Sequence, residues 1–208
     1  MDIDRKLHPV CLALLWVGTG IWALGCATPS VRFPPRVDLA RLGTVGMVQF
    51  ASPGRAELGA DTSRQFLASL ESAQPGAPVQ ELGDAKRLLY DLGRRELDAE
   101  AARALGEKFH VDALIVGTLE SKRSSAAGPA DSHSKFSSSG TELQGLLHAQ
   151  IFDTHTGAIV WNHVVRAEAE ISGAMQDDLG AIGADEAQMR LATRLAKKAS
   201  ADFQPRTD

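Results

Sequence analysis

Imidazole, carboxylate, hydroxyl and thiol groups could carry chemistry in this 208-residue chain, and their spacing limits what each can do. His148 and His163 fall on the two arms of a predicted hairpin, where a cross-strand pair could begin a metal site. Zinc usually takes three or four ligands, and no carboxylate or cysteine lies at a supporting spacing. His110 and His133 are similarly isolated. Asp98 and Glu100 read as charges at the start of a helix, not as an acid–base pair. Ser137-Ser138-Ser139 has no recognisable base nearby. The chain lacks a Gly-x-Ser-x-Gly elbow and a His-Glu-x-x-His pair, and Gly18-x-Gly20 lies in an apolar run unsuited to cradling a phosphate. The expectation is a protein that is not an enzyme and that uses neither metal nor cofactor.

One thiol is placed differently. Residues 10–24 are apolar, follow Arg5 and Lys6, and end in Gly25-Cys26. The run has the length of a signal-peptide core and falls short of the roughly 20 apolar residues of a membrane-spanning helix. Ala23-Leu24-Gly25-Cys26 resembles a bacterial lipobox, with the apolar and small positions exchanged relative to Leu-Ala-Gly-Cys. Ala23 and Gly25 also suit an ordinary signal peptidase, and an uncleaved anchor is a third reading. Cysteine usage favours lipid attachment at Cys26. The only other cysteine is Cys11, inside the apolar run, so a processed chain has no pair from which to build a disulfide.

The expected organisation is a signal peptide over 1–25, a lipidated cysteine and extended tether over 26–40, one periplasmic domain over 41–203 and a tail over 204–208. Pro29, Pro34 and Pro35 give the tether its extended character. The remaining chain is roughly 180 residues, enough for one domain with a real core. A net charge of −4 gives no electrostatic case for nucleic acid.

The elements that must position any site follow from hydrophobic periodicity. Leu42–Phe50 is apolar on both alternating faces, as in a strand covered on both sides. Asp61-Thr62-Ser63 offers caps for a helix presenting Phe66, Leu67 and Leu70. A short strand over Val79–Leu82 and a brief helix with Leu88, Leu89 and Leu92 come next. Asp98 caps a further helix carrying Ala102, Leu105 and Phe109, and Val111–Leu119 is a buried strand. The serine-rich residues 121–140 read as a loop, with Lys122, Arg123 and Phe136 as its candidate partner-binding handles. A last helix over 185–203 carries acids at its start and Lys197 and Lys198 near its end.

Leu143–Phe152 and Ala158–Ile171 form the predicted hairpin, closed at Asp153-Thr-His-Thr-Gly157 by a type I turn with a G1 bulge. Thr154 then faces Ala158, Ile151 faces Trp161, Ala149 faces His163 and Leu147 faces Val165. Polar residues collect on the other side, Gln150 against Asn162 and Gln144 against Glu168. Trp161 is expected to be mostly buried, and the two histidines of the hairpin fall on opposite faces. The fold class is mixed α/β: a small mixed sheet with packing helices, in the order β-α-β-(α)-α-β-β-β-α.

Phe109-His-Val-Asp-Ala-Leu-Ile-Val-Gly-Thr118, followed after a gap by Ile151-Phe-Asp-Thr-His-Thr-Gly-Ala-Ile-Val-Trp161, resembles a pattern in several envelope proteins. These are the curli-export channel lipoproteins, the lipoprotein activators of penicillin-binding proteins and the N-terminal domain of TolB. Asp153, Thr156, Gly157 and Trp161 match as structural positions, so no active site comes with the resemblance. It implies a periplasmic domain on an outer-membrane lipid anchor that binds or regulates another envelope protein. Ala27 after the cysteine is compatible with that sorting. A self-assembling component of an export or surface-assembly complex is the alternative, and an envelope-polymer hydrolase the second. A curli-type pore is not expected: 121–140 is too polar and 171–184 too short for two membrane-crossing hairpins.

Overall fold

Consecutive strands at the C-terminal half and alternating strands and helices at the N-terminal half meet in one sheet. The computed structural model describes residues 32–125, 141–171 and 180–207. The apolar run, Cys26 and residues 126–140 with Phe136 lie outside the described residues. Five strands form the sheet: β1 Val45–Gln49, β2 Val79–Asp84, β3 Ala113–Ser125, β4 Thr141–Asp153 and β5 Ile159–Ile171. Their order is β2-β1-β3-β4-β5; β1 runs parallel to both neighbours, and β3, β4 and β5 are successively antiparallel. The expected mixed sheet ending in an antiparallel hairpin is the observed one.

Helices α1 Ala56–Ala73 and α4 Gly180–Ala199 pack on one face, with a 3-10 turn at Ser200–Phe203. Helices α2 Ala85–Asp91 and α3 Ala99–Phe109 cover the other. The first face holds the larger core, where Phe66, Leu70, Ile115, Leu147, Leu195 and Phe203 are fully buried. The smaller core joins Leu88 and Leu105 to Val48, Leu114, Val116 and Phe152. Asp84 and Asp98 cap α2 and α3 by accepting from the backbone N–H of Arg87 and Ala101.

Several boundaries differ from the sequence reading, among them the last helix, which covers Gly180–Ala199 and not 185–203; three differ for a clear physical reason. Helix α1 begins before Asp61, because Thr62 and Ser63 do not cap it. Their hydroxyls donate to the carbonyls of Leu58 and Gly59 one turn back, at 2.7 and 2.9 Å. Ser63 Oγ also accepts the backbone N–H of Phe50, so it ties the helix to the end of β1. Strand β3 continues through residues 121–125, which were expected in the loop; pairing with Thr141–Gly145 outweighs their serine-rich composition. The packed body also reaches back past Arg41: Leu39 is fully buried, and the Val37 N–H donates to the Asp202 carbonyl at 3.1 Å.

The hairpin keeps the expected register from Ile151 inward, with Ile151 opposite Trp161, Ala149 opposite His163 and Leu147 opposite Val165. Its turn is different. Asp153, not Thr154, pairs with Ala158, since the Asp153 N–H donates to the Ala158 carbonyl and the Gly157 N–H to the Asp153 carbonyl. A bulge past Ile151 absorbs the extra loop residue and restores the register. Thr154 is unavailable for strand pairing because it is buried at the start of β3. Its Oγ1 donates to the Val111 carbonyl at 2.6 Å, and its N–H to the Asp112 carbonyl. Gly106 makes room for it: a Cβ there would lie 2.3 Å from Thr154 Cβ. Gly157 takes the left-handed turn position at φ 73°.

Candidate binding surfaces and the chain-end clamp

Two carboxylates hold the hairpin turn. Asp153 Oδ1 accepts the backbone N–H groups of Thr156 and His155, at 2.8 and 2.9 Å. The Thr156 bond is the main reason that its carboxyl titrates below the ordinary aspartate value of 3.8. Asp112 is lowered first by the backbone N–H of Thr44 on its Oδ2, then by His155 Nε2, 3.2 Å from Oδ1. An aspartate–histidine pair could orient a base, but the neighbouring Thr154 hydroxyl is committed to Val111 and offers no nucleophile. The pair instead fastens the turn to the loop before β1.

These bonds predict an acid limb of known sign. A carboxyl whose folded pKa lies below its unfolded value contributes stability that is fully present above the unfolded value and lost as pH falls through the folded one. Asp153→Asn should therefore lower the melting temperature at pH 6, with the gap to wild type narrowing below about pH 4. Thermal melts at pH 2.5, 4 and 6 test this, and a gap that widens on acidification would contradict it.

The hairpin histidines part as expected. His148 Nε2 lies 2.7 Å from Asn162 Oδ1 on one face, and His163 stacks on Trp161 on the other. Among the described residues, no three His, Cys, Asp or Glu side chains cluster in a way that could hold a metal.

The chain ends converge on Asp202 and Gln74. Asp202 accepts from the Trp161 indole N–H at 3.2 Å, lies 3.4 Å from His163 Nδ1 and pairs with Arg36 at 3.3 Å. Gln74 Nε2 donates to the carbonyls of Val37 and Phe203, and Gln74 Oε1 accepts the Leu39 N–H. Trp161 is half-buried, less than expected, because its indole edge reaches this polar node; its ring still meets Phe203 edge-on at 5.0 Å. Local sequence gives no sign of the node, since the partners in each of its bonds lie more than 30 residues apart along the chain.

Of the residues expected to meet a partner, Lys122 and Arg123 stand on β3, opposite Gln144 and Leu143. As consecutive strand residues they point to opposite faces. Arg123 shares the side of α1 and α4, whereas Lys122 lies on the side of α2 and α3. Of β3, β4 and β5 those two helices cover only Leu114, Val116 and Phe152, so among the described residues the far ends of these strands present an open face. Across it, Glu120, Leu146 and Arg166 form one cross-strand row, and Lys122, Gln144 and Glu168 the next.

No protein-family model matches the chain, and no curated protein matches it in sequence. Solved structures do. The chain is similar to the PelC dodecamer from Paraburkholderia phytofirmans, at 15% identity over 85% of this chain and 97% of that one, with a TM-score of 0.46. It is similar to lipoprotein GNA1162 from Neisseria meningitidis, at 14% identity over 72% and 98% of the two chains, TM-score 0.39. It is also similar to the LpoB C-terminal domain from Salmonella enterica, at 15% identity over 60% and 82%, TM-score 0.33. No site residue is carried over from these neighbours.

Proposed function

We propose that this chain is an outer-membrane lipoprotein, anchored through Cys26 and facing the periplasm, whose domain binds or regulates another envelope protein without catalysing a reaction. The observation that carries the reading is Cys26 itself, which ends the apolar run and is the sole cysteine after it. The clamp around Val37 supports it, since the chain joins the packed body there, shortly after the proposed anchor. Residues 26–36 would let the domain stand at most about 35 Å from the bilayer. A partner must therefore come within that reach.

The recognition surface in this reading begins at Lys122 and Arg123 and continues into the segment carrying Phe136. Because the two basic side chains leave opposite faces of β3, a partner engaging both must grip the end of the strand. Alanine at all three positions should lower recovery of the partner from envelope extracts several-fold while leaving the melting temperature unchanged. Equal recovery by the variant would remove this surface from the proposal. Capture that returns mainly the chain itself would favour the self-assembling alternative.

A further inference from the structure

The open sheet face carries charges in an order that matches itself. Along β3, Glu120 precedes Lys122; along the antiparallel β5, Arg166 precedes Glu168. Register sets Glu120 level with Arg166, and Lys122 level with Glu168, with Leu146 and Gln144 of β4 between them. One row is thus negative then positive, and the next positive then negative. These six residues line a shallow hollow of about 270 Å³. None of the four charged side chains has an ion-pair partner among the described residues.

We propose that this face docks on the same face of a second copy of the chain, about a two-fold axis that runs across the strands between the two rows. The rotation exchanges the rows within each strand. Glu120 of one copy meets Lys122 of the other, Arg166 meets Glu168, and Leu146 meets Gln144. The flanking rows choose this axis over one along β4, which would also oppose unlike charges at the four corners. An axis along β4 sets Glu142 on Glu142 and His148 on His148; the axis across the strands sets Glu142 on His148. Like charges directly opposed disfavour a pairing, so the transverse axis wins.

Three strands about 4.8 Å apart and four rows about 6.7 Å apart cover roughly 300–400 Å² per copy. That is well below the roughly 800 Å² per partner of a standard interface, so the pairing is weak in dilute solution and grows with local concentration. A shared membrane would supply such concentration, but the pairing itself does not depend on the anchor.

The test uses the purified full chain in detergent at high protein concentration, as an equal mixture of ordinary and 15N-labelled protein. A zero-length carbodiimide joins a lysine to a carboxylate only where the two touch. The expected product is a Lys122–Glu120 link joining one light and one heavy chain. Arg166→Glu alone, which leaves both coupling groups in place, should cut the yield of this link about tenfold by opposing like charges, and Arg166→Glu with Glu168→Arg should restore it. Glu120→Lys with Lys122→Glu exchanges the two coupling groups and should keep the light–heavy link, which repeats the test on β3 should the β5 variants fold poorly. A missing light–heavy link, a single reversal without effect, or a double exchange that does not restore the dimer would each overturn the proposal. Arg123→Ala, on the other face, should leave the yield unchanged, which separates this contact from partner recognition.

Discussion

Phe203→Ala should cost the domain about 3–5 kcal/mol of stability, the usual penalty for emptying the site of a buried phenyl ring. Phe203 is fully buried in the larger core, edge-on to Phe66 with centroids 5.8 Å apart and to Trp161 at 5.0 Å. Each ring would lose one of its two aromatic partners, and the cavity would open beneath the clamp, where Gln74 holds the Phe203 carbonyl. For a domain of this size the loss corresponds to a fall in melting temperature of about 10 °C. Trp161→Ala should cost less, because that ring is half-buried and its indole N–H already faces a polar group. Urea unfolding followed by circular dichroism orders the two variants. A smaller loss for Phe203→Ala than for Trp161→Ala would show that the aromatic node, not the core beneath it, carries the stability.

The second large effect concerns attachment. Cys26→Ser should move the protein from the detergent phase to the aqueous phase in a phase-partition experiment, because each acyl methylene buried in lipid adds about 0.8 kcal/mol to anchoring and several chains make it durable. The intact mass of the processed wild-type protein should exceed that of its polypeptide by the mass of its acyl groups. A processed chain that begins at Cys26 and bears none would end the lipoprotein reading while leaving the fold untouched.

The hairpin was legible in the sequence because burial imposes a period of two that a register slip would scramble. Gln144, Gln150, Asn162 and Glu168 share one face when Ile151 meets Trp161, a one-residue slip would divide them, and the two residues do meet. The turn was not legible. Asp153-Thr-His-Thr-Gly157 suits a shorter loop when taken alone, and what draws Thr154 inward is the space above Gly106, nearly fifty residues upstream. Thr62 and Ser63 misled for a similar reason: hydroxyls that favour helix starts donate to carbonyls one turn back inside the helix, and Ser63 also takes the N–H of Phe50, which lies outside the local pattern. The serines at 121, 124 and 125 have loop composition, yet strand pairing needs backbone groups and not side chains. The open face itself could be placed only after the sheet order showed how little of it α2 and α3 cover.

Gln74 also has a mechanical meaning. If the chain is anchored as proposed, a pull along the tether would pass Arg32–Phe33, paired with Arg206–Thr207, and reach Val37, whose carbonyl and N–H are held by Gln74 and by the Asp202 carbonyl. Gln74 follows directly on α1, and Asp202 belongs to the turn that follows α4, so the load divides between the ends of two helices seated on one core. Leu39 and Arg36 are held as well, so such a load would be shared among several bonds. Traction between the proposed anchor and a bound partner would thereby fall first on the helical layer, and of the three long strands only β5 meets the line of force, through Trp161 and His163 at Asp202.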